Sequence, residues 1–414
     1  MVSASLSGGA RAVARCDLLG SAPYSDMPGG LYRGYLTPAY WAACERLAAW
    51  MDDAGMQVRC DPAANCIGRY EGTIANAPAL LIGSHIDSVR DGGRYDGPLG
   101  ILLGIECVAA LHRAGRRLPF PIEVIAFGDE EGSRFPAAML TSRAVAGTLA
   151  AEALDMADAE GVALAALIDP VTYLDAARAP GTTLAYLEAH IEQGPLLEAE
   201  GLAVATVTGI AAQLRLQLTV TGMAGHAGTT TMPLRRDALA GAAEMILAVE
   251  RIARDDASDL VATVGRIEAL PGAANVIAGA VRCTIDIRSG DIERRDRAAD
   301  AIVEAIAAIA EARGLQSVIE PVHDLPASPC DPALMNLMDA ALAAAGQLPR
   351  RIVSGAGHDA MVMAALCPTA MLFVRCRGGI SHNPAEHVDP ADAEIALQGM
   401  LGFIDRLGAT FEPA

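Results

Sequence analysis

With 414 residues, 52% of them hydrophobic and 20% charged, the chain has the length for two or three domains and the composition of a globular protein, which excludes disorder as its organising principle. A formal net charge of −19 and an aromatic content of 4% oppose nucleic acid and anionic membrane surfaces as partners, because both call for clustered positive charge. All 31 cationic residues are arginine, so Schiff-base lysines, P-loop and kinase lysines and a carbamylated-lysine metal bridge are absent as well.

Thr37-Pro38 opens an amphipathic run closed by Gly55, which predicts a helix over roughly residues 38–54. Strand-like runs follow near Ile67-Tyr70, Ala79-Gly83 and Ile122-Phe127, with a helix over roughly residues 98–114 between the last two. This alternation predicts an α/β fold whose mostly parallel sheet is covered by helices, with ligands beyond the carboxyl ends of the strands.

From residue 209 the texture changes. Gln213-Val220 alternates strictly, a helix-like run follows around 235–253, and a strand is expected at Leu260-Ile267. Val281, Cys283, Ile285 and Ile287 alternate with Arg282, Thr284, Asp286 and Arg288. A helix from Asp291 to Arg313 and a strand Leu315-Glu320, ended by Pro321, complete a βαββαβ order. That is an inserted ferredoxin-like α+β unit over 209–322, between the halves 1–208 and 323–414 of the larger domain. Ala370-Val374 then reads as a strand and the segment after Pro390 as a final helix.

Nine cysteines without a C-x-x-C pair suit free thiols in a reducing compartment. The first thirty residues hold no apolar stretch long enough for a signal peptide, and no run of eighteen apolar residues occurs, so a cytoplasmic protein is expected.

Four polar clusters fall at predicted strand ends. In Gly83-Ser84-His85-Ile86-Asp87 a carboxylate two residues on can hold one ring nitrogen while the other meets a metal, although the same spacing also suits an ordinary surface pair. Asp96 stands just ahead of a helix, where it could instead be an N-cap. Asp129-Glu130-Glu131 places three acids together, a group kept only when solvent or a cation neutralises it. Glu188-Ala189-His190-Ile191-Glu192-Gln193-Gly194 and Gly379-Ile380-Ser381-His382-Asn383-Pro384-Ala385-Glu386 supply two more histidines. Together His85, His190, His382, Asp96 and Glu131 are candidate metal ligands of a type that suits zinc, manganese or cobalt, with Glu130 left over. Two ions could share a carboxylate and activate water for amide or ester hydrolysis, and no Gly-x-Ser-x-Gly elbow offers a serine route.

The motifs G-S-H-I-D-S, G-G-R-Y-D-G, D-E-E-G-S-R-F, E-A-H-I-E-Q-G-P, G-H-A-G-T-T, A-N-V-I-A-G, S-G-A-G-H-D-A and G-I-S-H-N-P-A-E, in this order, resemble the M20-type metallopeptidase superfamily. Within it the sequence is similar to the branch of allantoate amidohydrolases, N-carbamoyl-L-amino acid hydrolases and β-ureidopropionases. The resemblance implies two divalent metal ions per subunit, zinc or manganese with cobalt possible. His85, Asp96 and His190 would bind one; Asp96, Glu131 and His382 would bind the other. Asp87 would orient His85, and Glu130 would be the general base. It further implies a homodimer formed through the inserted unit, which would act as dimerisation and lid domain, with His226 reaching the partner's site. Asn275, Arg288, Gln193 and Gly379 would contact a small carboxylated ureido substrate. Allantoate is the first expectation, with release of ammonia and carbon dioxide, and N-carbamoyl-L-amino acids or N-carbamoyl-β-alanine are the alternatives. A dipeptidase or aminoacylase and a non-catalytic binding protein stand behind these. Thr231, Arg375 and Arg377 depart from the usual pattern of the relatives, the two arginines flanking Cys376 near the last motif.

Overall fold

The computed structural model describes residues 6–412, which divide into two compact units. The first runs to Thr208 and resumes with Cys330–Ile352 and from Ala356 onward. The second comprises Gly209–Pro329 and Val353–Gly355.

The first unit is built on a mixed sheet. Seven of its strands lie in the order Gln57–Cys60, Cys66–Tyr70, Ile122–Phe127, Ala79–His85, Thr183–Ile191, Thr369–Val374 and Val204–Ile210. The four central strands are parallel, in a register that sets His85 opposite Phe127 and Phe373 opposite His190. The flanking pairs are antiparallel. Every residue of Ala79–His85, Ile122–Phe127 and Thr369–Val374 is buried, the pattern of strands covered on both faces. Their carboxyl ends therefore share one edge of the sheet, and the loops that leave it carry the polar clusters.

Helix starts follow local chemistry. Thr37 accepts the Tyr40 N–H ahead of Pro38–Asp53, and Asp331 and Asp389 cap Pro332–Ala344 and Pro390–Thr410. Pro98–Arg113 differs: Gly97 occupies the cap position and no side chain caps this helix, so the N-cap reading of Asp96 is wrong. Among the described residues all nine cysteines are free, and only Cys60 is exposed.

The second unit is a four-stranded antiparallel sheet in the order Gln316–Leu325, Ala212–Thr221, Ala280–Ser289, Val261–Leu270, packed with helices Ala238–Asp255 and Ile292–Arg313. Val281, Cys283, Ile285 and Ile287 are buried against those helices, as their alternation requires. A short pairing of Gly225–His226 with Val276–Ile277 is added to the βαββαβ order. The last strand does not stop at Pro321 but continues to Leu325, with a register shift between Pro321 and His323. It is an edge strand, where a missing N–H leaves no ladder bond broken and a bulge is absorbed. The first helix begins at Ala238 rather than near residue 235 because Asp237 accepts the N–H groups of Leu239 and Ala240.

Candidate metal centre

Five side chains from separate segments converge at the carboxyl edge of the parallel strands. His85 ends its strand, Glu131 follows Ile122–Phe127, His190 lies at the end of Thr183–Ile191, His382 is in the loop after Thr369–Val374, and Asp96 precedes the helix Pro98–Arg113. The Asp96 carboxylate is buried between them. Its Oδ1 is 3.1 Å from His190 Nε2 and 3.4 Å from His85 Nε2, while Oδ2 is 3.4 Å from His382 Nε2. Glu131 Oε1 lies 3.3 Å from the same His382 nitrogen. One carboxylate thus faces two donor groups with its two oxygens. Donor atoms of His85, Asp96 and His190 lie within 4.8 Å of one another, as do those of Asp96, Glu131 and His382. Nitrogen and oxygen donors without thiolate, in two triads sharing a carboxylate, fit a pair of divalent ions. A third triad, His85 with Glu130 and Glu131, meets the same distance limit.

The backbone is shaped to allow this. Gly97 has φ +84°, and a Cβ there would stand 2.4 Å from the His85 carbonyl oxygen and 2.6 Å from its ring. His382 adopts φ +54°, a left-handed conformation that costs a non-glycine residue energy and concentrates at functional sites. His190 Nδ1 lies 2.9 Å from the Ile191 carbonyl, which can only accept, so Nδ1 carries the hydrogen and Nε2 is turned to Asp96. Asp87, fully buried, stands 3.4 Å from His85 Nδ1 and also accepts the backbone N–H groups of Glu130 at 3.0 Å and Glu131 at 3.2 Å. It holds an imidazole and the acidic loop in register together.

This convergence coincides with a match along the sequence: the pattern of peptidase family M20/M25/M40 covers residues 81–406. The chain belongs to that family. It is 42% identical over 375 residues to the N-carbamoyl-L-amino acid amidohydrolase of Geobacillus stearothermophilus, spanning 89% of this chain and 91% of that protein. It is 40% identical over 431 residues to allantoate deiminase 1 of Glycine max, spanning 96% and 89%. A hydantoinase/carbamoylase family amidase from Burkholderia ambifaria superposes with a TM-score of 0.89 at 39% identity, covering 98% of both chains. This M20 chain is accordingly a hydrolase.

Burial and neighbouring charge shift most of the ionisable groups gathered here. Burial alone would lower the pKa of His85 and His190, but hydrogen bonds to Asp87 and Asp96 for the first, and to Asp96 for the second, outweigh it and raise both. Asp96 and Glu131 push His382 up to about 10. Burial opposes ionisation of Asp96, yet the three imidazoles hold it well below the usual carboxylate range. Burial raises Glu130 well above its ordinary value, with Asp359 and Glu131 adding to the effect against His85. Burial likewise raises Asp129 well above its ordinary value, with Asp87 and Asp359 adding to the effect.

The remaining expected residues fall in two places. Gln193 donates to Asp96 Oδ2 at 2.8 Å beside Ser381, which donates to the same oxygen at 2.6 Å. Gly379 has φ +66°, and a Cβ there would stand 2.4 Å from the Gly194 carbonyl carbon. His226, Asn275 and Arg288 belong to the second unit. His226 is exposed, pairs with Val276 and accepts the Gly228 N–H at Nδ1, and the Asn275 carbonyl accepts the Ala227 N–H. Arg288 is not a loosely solvated side chain, since Asp286 grips it through Nε at 2.7 Å and Nη2 at 3.2 Å while Nη1 donates to the Gly355 carbonyl. Arg375 makes a two-bond pair with Asp392 in the first turn of the last helix. Sequence reasoning passed over Glu188, whose buried carboxylate accepts from Ser84 Oγ and the Ala360 N–H, and His358, whose ring packs edge-on against His190. Glu188 was within reach, because two residues before His190 on a strand puts it on the same face.

Hydrogen bonds to Asp87, Asp96 and Glu131 favour the protonated imidazoles, so a metal would have to displace protons. Affinity for Zn²⁺ should therefore rise as pH approaches about 10, the value to which His382 is pushed, since neutral rings become cheaper to form, and calorimetry in buffers of different ionisation heat should register proton release. Affinity independent of pH, without proton release, would remove these histidines as ligands.

Proposed function

We propose that this M20 hydrolase cleaves a ureido C–N bond in a small carboxylated substrate, allantoate first and N-carbamoyl-L-amino acids or N-carbamoyl-β-alanine as the alternatives. The observation that carries the reading is the Asp96 carboxylate turned toward two donor triads, with Glu130 beside them. The relatives named for allantoate and for N-carbamoyl-L-amino acids support the substrate class. His85, Asp96 and His190 would hold one divalent ion and Asp96, Glu131 and His382 a second. Zinc, manganese or cobalt suits these donors. When bound, such ions supply Lewis-acid polarisation and water activation at neutral pH.

The chain's own groups do the rest. Glu130 takes a proton from the attacking water and delivers it to the leaving nitrogen, a role suited to a buried carboxylate of raised pKa. Asp87 steadies His85 and the Glu130 backbone. Arg288, presented as a planar fork by Asp286, is the group for the substrate carboxylate, with Asn275, Gln193 and Gly379 completing its contacts. His226 would polarise the scissile carbonyl in the site of a second subunit, which makes the second unit a dimerisation and lid domain. Free thiols throughout support a cytoplasmic setting.

Ammonia release measured from allantoate, N-carbamoyl amino acids, N-carbamoyl-β-alanine and dipeptides, before and after chelation, tests the whole reading. Ureido turnover that is lost on chelation and restored by Mn²⁺, Zn²⁺ or Co²⁺ is expected. Dipeptide turnover exceeding ureido turnover would make this a peptidase, and full activity in a verified metal-free sample would end the metal reading.

The adjacent glutamates should fail differently. Glu131→Ala should lose an ion, whereas Glu130→Gln should keep both while kcat falls by roughly 10²–10⁴. Loss of an ion in Glu130→Gln would instead favour the triad in which Glu130 is a ligand.

Mixing Glu130→Ala with His226→Ala subunits tests the shared site. Each homodimer should be nearly inactive, and random reassortment under two-fold symmetry should restore roughly 25% of wild-type activity. Heterodimers confirmed by native mass spectrometry but lacking activity would confine His226 to its own subunit.

A further inference from the structure

Glu386 closes the S-H-N-P-A-E motif, four residues after His382, yet no role above uses it. It is 5% exposed. Its Oε1 accepts two backbone N–H groups, from Tyr95 at 2.7 Å and from Asp96 itself at 3.1 Å. Gly93 makes room for this reach, because a Cβ there would stand 2.1–2.3 Å from the Glu386 carboxylate atoms. The turn that presents Glu386 is itself fixed: its N–H donates to the Asn383 carbonyl, and Asn383 Oδ1 accepts the Ala385 N–H. The side chain therefore runs from the loop of one candidate ligand to the backbone of another. Among the described residues, Glu386 is the side chain that meets the Asp96 N–H.

We propose that Glu386 is a positioning residue of the metal centre, tying the Asp96 backbone to the His382 loop so that the Asp96 carboxylate stands between both donor groups. The inference rests on the reading of Asp96 as a ligand shared by two ions. Because Asp96 belongs to both triads, losing this tie weakens both sites together, unlike loss of Glu131, which touches one. The acceptor oxygen matters rather than the charge, since the partners are peptide N–H groups.

The test compares metal-free wild type, Glu386→Ala, Glu386→Gln and Gly93→Ala, each checked for folding by circular dichroism and titrated with Zn²⁺ against a competing chelator. Glu386→Ala is expected to weaken both ions by about 10–100-fold, the usual worth of a group that orients a ligand. Glu386→Gln keeps an oxygen acceptor and should stay within about threefold of wild type. Gly93→Ala crowds the carboxylate and should resemble Glu386→Ala. Should Glu386→Ala not fold, Gly93→Ala against Glu386→Gln carries the same contrast. A wild type binding a single ion removes the shared-ligand reading and this inference with it. A wild type binding two, with Glu386→Ala or Gly93→Ala equal to it, overturns the positioning role alone. Glu386→Gln as weak as Glu386→Ala would also overturn it, by showing that charge is what counts.

Discussion

The Asp96 carboxylate is a buried anion whose two oxygens point in different directions at three imidazoles, and much of the neighbouring structure exists to make that tolerable. Removing a carboxylate from water costs several kcal/mol unless charges and hydrogen bonds replace the solvent. Here His85, His190 and His382 provide the charge, and Gln193 and Ser381 complete the bonding of Oδ2. The histidines are constrained in turn, by Asp87, by the Ile191 carbonyl and by a left-handed backbone at His382. Each constraint is small, and their direction is common.

The sheet supplies rigidity. Parallel strands buried on both faces cannot shift without breaking a close-packed core, so the groups at their carboxyl ends inherit fixed positions. Loops from such an edge vary in sequence and shape while their anchor points stay put, and the acidic loop after Phe127 shows how. Its backbone is registered by Asp87 from one neighbouring strand end, which fixes the chain at both Glu130 and Glu131.

Much of this was legible in the sequence for a physical reason: strand ends, prolines at helix starts and alternating apolar residues are local signals. The strands Ala79–His85, Ile122–Phe127 and Thr369–Val374 and the βαββαβ order all rest on them. Where local signals gave two readings, three-dimensional contacts chose. Asp96 could cap a helix or face other donors, and the cap position taken by Gly97, with three imidazoles around the Asp96 carboxylate, excludes the cap. Pro321 reads as a strand end because nothing local says that its strand lies at an edge. The helix Gly8–Leu19, framed by Ser7 and Gly20, and the strand Val204–Ile210 were not foreseen. Glu386 lay in plain view within a motif, but its partners are far along the chain, beyond what spacing reveals.

The candidate ligands are also scattered along the chain, from His85 to His382, with the second unit intervening in sequence between His190 and His382. An unfolded chain cannot gather them, because the entropy of closing such long loops must be met before any coordination is gained. The centre thus belongs to the native state alone, and any ion it holds shifts the folding equilibrium by mass action, by RT ln(1 + [L]/Kd) for each independent site. With the proposed ions bound, metal supply would bear on persistence as well as on turnover: in a metal-poor cell the same sequence would be less stable and more readily opened to proteolysis.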